Sequence, residues 1–437
     1  MSGSLLLAGG RVIDPSAGMD EVRDVLVRDG RIETVSRGVA GPEGIPRIEA
    51  QGLVVAPGLI DVHVHLREPG AEHKETIRTG ARSAAAGGFT TIWAMPNTDP
   101  PLDDPAAVGF VREEARRWAR KGEGGARVSP VAAASLGLAG RQMTEIGGLV
   151  EAGAVAVTDD GHPIHDPALM RRLLEYTQSF GIPVLQHAED MALSAGGVMN
   201  EGAVATALGL RGIPNASEAT VVARDIYLAE LTGGHVHVQH VSTREAVELI
   251  RLARERGVRV SGEASPHHMA LTEEAVRGYR TEAKMNPPLR SEADRLAVRR
   301  GLIDGVLECV ATDHAPHHYE EKEREFDDAP FGIVGLETAL AVCIGELVTP
   351  GDLPLFDLIE RMSTAPARLM GIEGGTLRPG SRADLVLFDP EEAWTVDPAN
   401  FRSKSRNTPF SGWEVTGRVK CTIVGGEIRY GDSVAKA

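Results

Sequence analysis

The stretch "GLIDVHVHL", Gly58 to Leu66, decides how the rest of this chain is read. An apolar run ends on two histidines in alternate positions, and Arg67 continues the alternation. In an extended strand, residues i and i+2 share a face, roughly 6.5–7 Å apart. His63 and His65 can therefore converge on one ion at a Zn–N distance of roughly 2.0–2.1 Å. Taken alone, the pair also suits two half-buried strand histidines satisfied by carbonyls. Seven further segments have the same form: "FTTIWAMP", "VSPVAAAS", "AVAVTDDG", "IPVLQHAED", "HVHVQHVS", "VRVSGEASPHH" and "VLECVATDHAP". Between them lie helical patterns over 105–121, 167–180, 217–231 and 244–256. Eight strands alternating with helices fit a (β/α)₈ barrel, with a doubly wound sheet as the alternative. Histidine, aspartate or asparagine closes nearly every strand at its C-terminal end, where barrel active sites form, so the barrel is preferred.

The first fifty-odd residues read as short strands with glycine turns, and "DLVLFDP" and "CTIVGGEIRY" near the other end share that texture. "LLLAGGRVI" (Leu5 to Ile13) echoes "TIVGGEI" (Thr422 to Ile428), an apolar run, Gly-Gly and a strand start. Both ends are expected to build one small β-sandwich domain. The division is 1–55 and 372–437 for that domain and 56–371 for the catalytic barrel.

At 437 residues, 42% hydrophobic and 25% charged, the chain can bury a sizeable core. A net charge of −16 argues against general affinity for nucleic acid or anionic membrane, though a local arginine can still hold an anionic small substrate. The three cysteines, Cys309, Cys343 and Cys421, form no CxxC pair and suit reduced, buried thiols. The opening "MSGSLLLAGG" lacks a basic, long-apolar leader, and no run of eighteen apolar residues occurs, so a cytoplasmic protein is expected.

Other strand ends strengthen the metal reading. Asp159 and Asp160, His187, His240 and Asp313 each stand at the end of a different barrel segment from the first. One such residue is ordinary turn chemistry; five strand ends supplying ligand types together point to a metal site. Imidazole and carboxylate donors suit Zn²⁺, with Mn²⁺ and Co²⁺ as alternatives.

The motifs "DVHVHLREPG", "GGFTTIWAMPNT", "VTDDG", "QHAE", "QHVSTREAV", "KMNPPLR", "ATDHAPH", "APFGIVGLET" and "NTPFSGWEVTG" closely resemble the class I bacterial dihydroorotases of the amidohydrolase superfamily. The likeness runs over essentially the whole chain. It implies one metal on His63, His65 and Asp313 and a second on His187 and His240, two zincs per subunit. Many relatives bridge the pair with a carboxylated lysine, but this chain has no lysine between Lys121 and Lys284. The class I pattern implies an aspartate bridge instead: Asp160 matches it, with Asp159 the runner-up. Gly161 would let the shorter aspartate arm come close.

The implied reaction is the reversible cyclisation of N-carbamoyl-L-aspartate to L-dihydroorotate in pyrimidine biosynthesis. Metal coordination brings the pKa of the attacking water near 7, and Asp313 serves as general base and then acid. Arg67, at the mouth of the first strand, can clasp the unreactive carboxylate with two parallel hydrogen bonds; a surface salt bridge to Glu68 or Glu72 is the plain alternative. Asn97 and His317 match the family's other carboxylate contacts, and Asn286 a contact to the pyrimidine ring. His235 and His237 alternate with Gln239, opposite to His240, and are expected on the barrel wall or surface. His267 and His268 are left outside the metal set, His314 is expected to face away, and His73, His162 and His165 lack convergent partners. The run "EEKEREFDD", Glu320 to Asp328, reads as a solvated loop or a lid. The resemblance further implies a homodimer and, in some relatives, a partnership with aspartate transcarbamoylase. Hydantoinase, allantoinase and non-catalytic scaffold are the rival readings.

Overall fold

A computed structural model describes residues 3–42 and 44–431. Its centre is a closed barrel of parallel strands: Leu59–Val64, Phe89–Ala94, Arg127–Pro130 continued by Ala132–Ala133, Val157–Thr158, Val184–Gln186, Val236–Val238, Val260–Ala264 and Cys309–Val310. All eight expected segments are strands. The third pairs its first half with the second strand and its last two residues with the fourth. Closure comes from a parallel bridge between Val64 and His314, where the His65 N–H donates to the His314 carbonyl at 2.9 Å.

Two apolar layers result from the alternation along most strands; the first strand shifts register between Asp61 and Val64, so His63 and His65 reach the interior on the parity opposite to Ile60 and Val62. Ile60, Val62, Trp93, Met95, Val131, Leu185, Cys309 and Ala311 pack together in the barrel interior. Their neighbours Phe89, Ile92, Ala132, Val157, Val184, Val236 and Val310 pack outward against the helices. Helix boundaries follow local chemistry. Pro105–Arg120 and Pro167–Tyr176 each begin with proline after an aspartate, Asp104 or Asp166, whose carboxylate accepts first-turn N–H groups. Such caps contribute about 1 kcal/mol each. Of the other two expected helices, one extends slightly further, over Asn215–Thr232, and the other ends one residue earlier, over Arg244–Glu255.

Both chain ends contribute to one eight-stranded sheet. Val54–Pro57 pairs with Leu5–Asp14 on one side and with Leu385–Thr395 on the other. Its two faces serve different cores. Leu5, Leu7, Val55, Leu385, Leu387, Cys421 and Ile423 pack among themselves, while Val54, Ala56, Val386 and Phe388 join the barrel's outer layer. The segment between Leu385–Thr395 and Glu414–Val424 leaves the sheet and packs on the barrel. There Asn407 donates to the carbonyls of Ala315 and Gly332, both at 3.0 Å, and accepts the His317 N–H at 3.0 Å. This part of the C-terminal region thus braces the barrel mouth as well as completing the sheet.

Candidate metal centre

The inward alternation carries directly into the site. On the fourth strand Ala156 and Thr158 face inward, Asp160 follows on the same face, and Asp159 falls on the other. The Asp159 carboxylate accepts the Ser135 N–H and hydroxyl. On the eighth strand Cys309 and Ala311 face inward and Asp313 continues the series. His187 follows Leu185 in the same way on the fifth. His240 breaks the rule. It lies on the parity opposite to His237 and Gln239, yet all three reach the interior, because the His240 backbone turns left-handed at φ 31°. Asp313 (φ 47°) and Arg67 (φ 62°) share this sparsely populated conformation. Such a backbone costs a non-glycine residue of order 1–3 kcal/mol and clusters at functional sites.

The side chains converge on Asp160, which is 2% exposed. Its Oδ2 lies 3.4 Å from His63 Nε2 and 3.3 Å from His65 Nε2. Its Oδ1 lies 3.6 Å from His187 Nδ1 and 3.7 Å from His240 Nε2. One carboxylate is thus divided between two histidine pairs. Asp313 Oδ1 sits 3.2 Å from His65 Nε2 and 3.5 Å from His63 Nε2. Gly161 takes φ 87°, and a side chain there would meet Asn97 Nδ2 at 3.0 Å.

Electrostatics separates the two adjacent aspartates. Burial pushes both carboxyls up; for Asp160 the surrounding His63, His187 and His240 outweigh it and hold the group well below the usual range, whereas Asp159 stays raised. For His63 burial opposes the charge, but Asp160, Asp313 and Glu263 hold its pKa well above the ordinary value. Among the described residues, three buried atoms at the centre have no hydrogen-bond partner: His63 Nε2, His240 Nδ1 and Asp160 Oδ1. Unpaired buried polar atoms are costly, and here they belong to residues whose donors cluster in three ligand-like triads. The donor set fits a divalent cation.

Glu263, which sequence reasoning missed, underlies both halves. Its Oε1 meets His63 Nδ1 at 2.7 Å and accepts the His240 N–H at 3.0 Å, while Oε2 meets His237 Nε2 at 3.0 Å. His237 is therefore an interior residue that braces Glu263. The available signal was an acidic residue in the middle of a short apolar strand, VSGEA. Glu189, also missed, meets His187 Nε2 at 3.1 Å and accepts from Asn286 Nδ2 at 3.0 Å. His314 faces away as expected, toward Glu75 and the Gly335 N–H.

Arg67, Asn97, Asn286 and His317 all line one cavity of about 310 Å³ together with His65, Asp160, His187, His240 and Asp313. Arg67 Nε donates to the Pro316 carbonyl at 3.1 Å, and Nη2 lies 3.4 Å from His317 Nε2. Glu68 is occupied elsewhere, accepting the Ile77 N–H at 2.7 Å, and Glu72 accepts the Gly70 N–H at 2.9 Å. The Asn97 side-chain oxygen meets His65 Nδ1 at 2.8 Å, so Asn97 orients a histidine as well as lining the cavity. The loop containing Glu320 to Asp328 is tied from beneath. Lys322 Nζ donates to the carbonyls of Pro330 at 2.9 Å and Gly332 at 3.2 Å, and Lys284 Nζ to those of Phe326 and Asp327. Its acidic side chains point mostly to solvent, while Pro330, Phe331 and Gly332 wall the cavity.

A (β/α)₈ barrel with histidines and carboxylates gathered at the strand C-termini defines a metal-dependent amidohydrolase. Family models agree: residues 52–246 match "Dihydro-orotase-like" and 333–430 match "Amidohydrolase family". A dihydroorotase from Geobacter metallireducens is 51% identical over 427 residues, covering 98% of this chain and 99% of its own. One from Anaeromyxobacter sp. (strain K) is 52% identical over 430 residues, covering 98% of each. Among solved structures, the L-hydantoinase (dihydropyrimidinase) from Arthrobacter aurescens superposes with a TM-score of 0.87 at 27% identity, covering 98% of this chain and 96% of its own. The chain belongs to the dihydroorotase family. Among the described residues, no helix is long and apolar enough to cross a membrane.

Proposed function

We propose that this chain interconverts N-carbamoyl-L-aspartate and L-dihydroorotate on the route to UMP, with two zinc ions per subunit held by His63, His65, Asp160, His187, His240 and Asp313. The observation that carries this reading is the Asp160 carboxylate divided between two histidine pairs, with Arg67 at the mouth of the same cavity. Mn²⁺ or Co²⁺ would suit the same donors.

Bound ions supply Lewis-acid polarisation of the reacting carbonyl and lower the pKa of water toward 7. The chain's own groups do the rest. Arg67 holds the carboxylate that does not react; its Nε is fixed on the Pro316 carbonyl, which leaves the outer guanidinium edge for a charge-assisted grip. His317 and Asn97 flank that grip, and Asn286, across the cavity, contacts the ring. In ring opening, Asp313 takes the proton of the attacking water and delivers it to the departing ring nitrogen. In ring closure it takes the proton from the ureido nitrogen and returns it to the leaving water.

Metal analysis coupled to a dihydroorotase assay tests this on Asp160→Ala and Asp313→Ala. The first is expected to lose metal, and the second to lose turnover. Full turnover in both variants would refute the assignment, and preference for hydantoin or allantoin over dihydroorotate would move the chain to a sister activity. A cytoplasmic homodimer that works alone or docks aspartate transcarbamoylase belongs to the same proposal, and light scattering with and without that enzyme tests its assembly. So does the division into a barrel over 56–371 and a small domain from 1–55 and 372–437, which the pairing of Val54–Pro57 with Leu385–Thr395 supports.

A further inference from the structure

A second cavity, of about 420 Å³, opens at the opposite end of the barrel. Its wall includes Arg127, the first residue of the third strand, so it lies at the N-terminal face, away from the metal cluster. The helix Pro105–Arg120 lines it with Arg112 and Arg116, and the end sheet closes it with Val424, Gly425, Glu427 and Arg429. Four arginines and one carboxylate around a single cavity stand out in a chain of net charge −16.

Their charges are incompletely matched within the protein. Arg127 shares Asp384, at 3.3 Å, with Arg382, which approaches the other oxygen at 2.6 Å, and the Gly425 N–H donates to the Asp384 carboxylate at 2.8 Å. Arg429 pairs with Glu427. Arg116 pairs with Glu113 at 2.8 Å, with both side chains 55% exposed, where screening leaves little net attraction. Arg112 forms no ion pair among the described residues, and its buried Nε has no hydrogen-bond partner. It lies over Gly153, at φ 115°, where a side chain would strike the guanidinium at 2.7 Å. The rest of the wall is apolar or small: Ala115, Ala126, Val128, Pro130 and Val424. The volume falls in the range of small-molecule sites, roughly 300–1,000 Å³, and junctions between structural units are common places for them.

We propose that this cavity is a binding site for a small phosphorylated metabolite, its phosphate held by Arg112, Arg127 and Arg429 and its apolar part lying against Val128 and Val424. Guanidinium groups match phosphate oxygens in pairs, and a phosphate would give Arg112 the partner it lacks.

Calorimetric titration of the metal-loaded enzyme with AMP tests the proposal; AMP carries one phosphate and a flat, weakly polar base. One site is expected, with an affinity that falls as salt rises and is unchanged by saturating dihydroorotate. Arg112→Ala should weaken it about tenfold. Ala115→Trp, which fills the cavity without removing charge, should abolish it, with the native circular-dichroism spectrum and thermal midpoint retained in both variants as evidence of folding. Inorganic phosphate alone should bind more weakly, and citrate no better than phosphate. No heat with millimolar AMP, competition by dihydroorotate, or equal binding by both variants would overturn the site. None of these outcomes bears on the dihydroorotase assay, so the two proposals fail separately.

Discussion

The two halves of the metal cluster share Asp160 but are built differently. His63 and His65 lie two residues apart at the end of the strand Leu59–Val64, where its register shifts, so the pair is close in sequence before any tertiary contact forms. His187 and His240 come from the ends of two strands, and His240 reaches inward only through a left-handed backbone. Their supports differ too. The first pair leans on Glu263 and Asn97; in the second, His187 leans on Glu189, itself held by Asn286 from a distant loop, and His240 on Glu263 through its backbone. One half is thus local in sequence, and the other is assembled by the finished barrel.

Asp160→Ala should break the comparison altogether by removing the group that both halves face. Turnover is expected to fall more than about 10³-fold, with bound metal lost to elemental analysis. Glu263→Gln comes next, because Glu263 touches both halves. A loss of roughly 10–100-fold in metal affinity or activity follows from the usual effect of such partners. Competition with a chelating dye would read it, and unchanged affinity at both sites would deny Glu263 its positioning role. Asn97→Ala and Glu189→Gln sharpen the contrast, since each should weaken only its own half by about tenfold. Stepwise metal titration separates them; identical titration curves would mean that the halves are not independent. Smallest, Lys322→Met strips donors from the Pro330 and Gly332 carbonyls and should raise KM a few-fold, roughly the effect of one lost charged hydrogen bond. Hydrogen exchange over 319–332 should lose protection in that variant and gain it in the native enzyme with dihydroorotate. No change on adding dihydroorotate would leave the loop a fixed wall rather than a lid.

The barrel was legible because its signal is repeated: eight strands each end on a polar residue, and parity alone places His187, Asp160 and Asp313 inside. In the sequence, the preference for Asp160 over Asp159 rests on the resemblance alone; in the structure Thr158 and Ala156 share the inward face with the former. Alternation fails at His237, which it places on the wall or surface because that residue opposes His240. It could not register a backbone that turns at φ 31° and admits both parities to the interior. Glu263 and Glu189 escaped for another reason. A supporting carboxylate has no motif of its own, and only the fold brings Glu263 within 2.7 Å of a histidine two hundred residues earlier. The bracing of the cavity mouth by Asn407 was equally silent, because a loop inside a sheet-forming region gives no sign of where it lands.

The sheet built from both ends sets an order on biogenesis. Val54–Pro57 emerges early from the ribosome, but its partner Leu385–Thr395 follows more than three hundred residues later. At roughly 5–20 residues per second, that edge waits on the order of half a minute with its backbone groups and apolar residues uncovered. The barrel's first strand begins two residues beyond Pro57, so the waiting edge is attached directly to the strand that carries His63. A nascent chain stalled before residue 385 would hold every proposed metal ligand and still lack the strand that covers this edge. Chaperone engagement should therefore concentrate on intermediates of this length, and release should coincide with synthesis of the final strands.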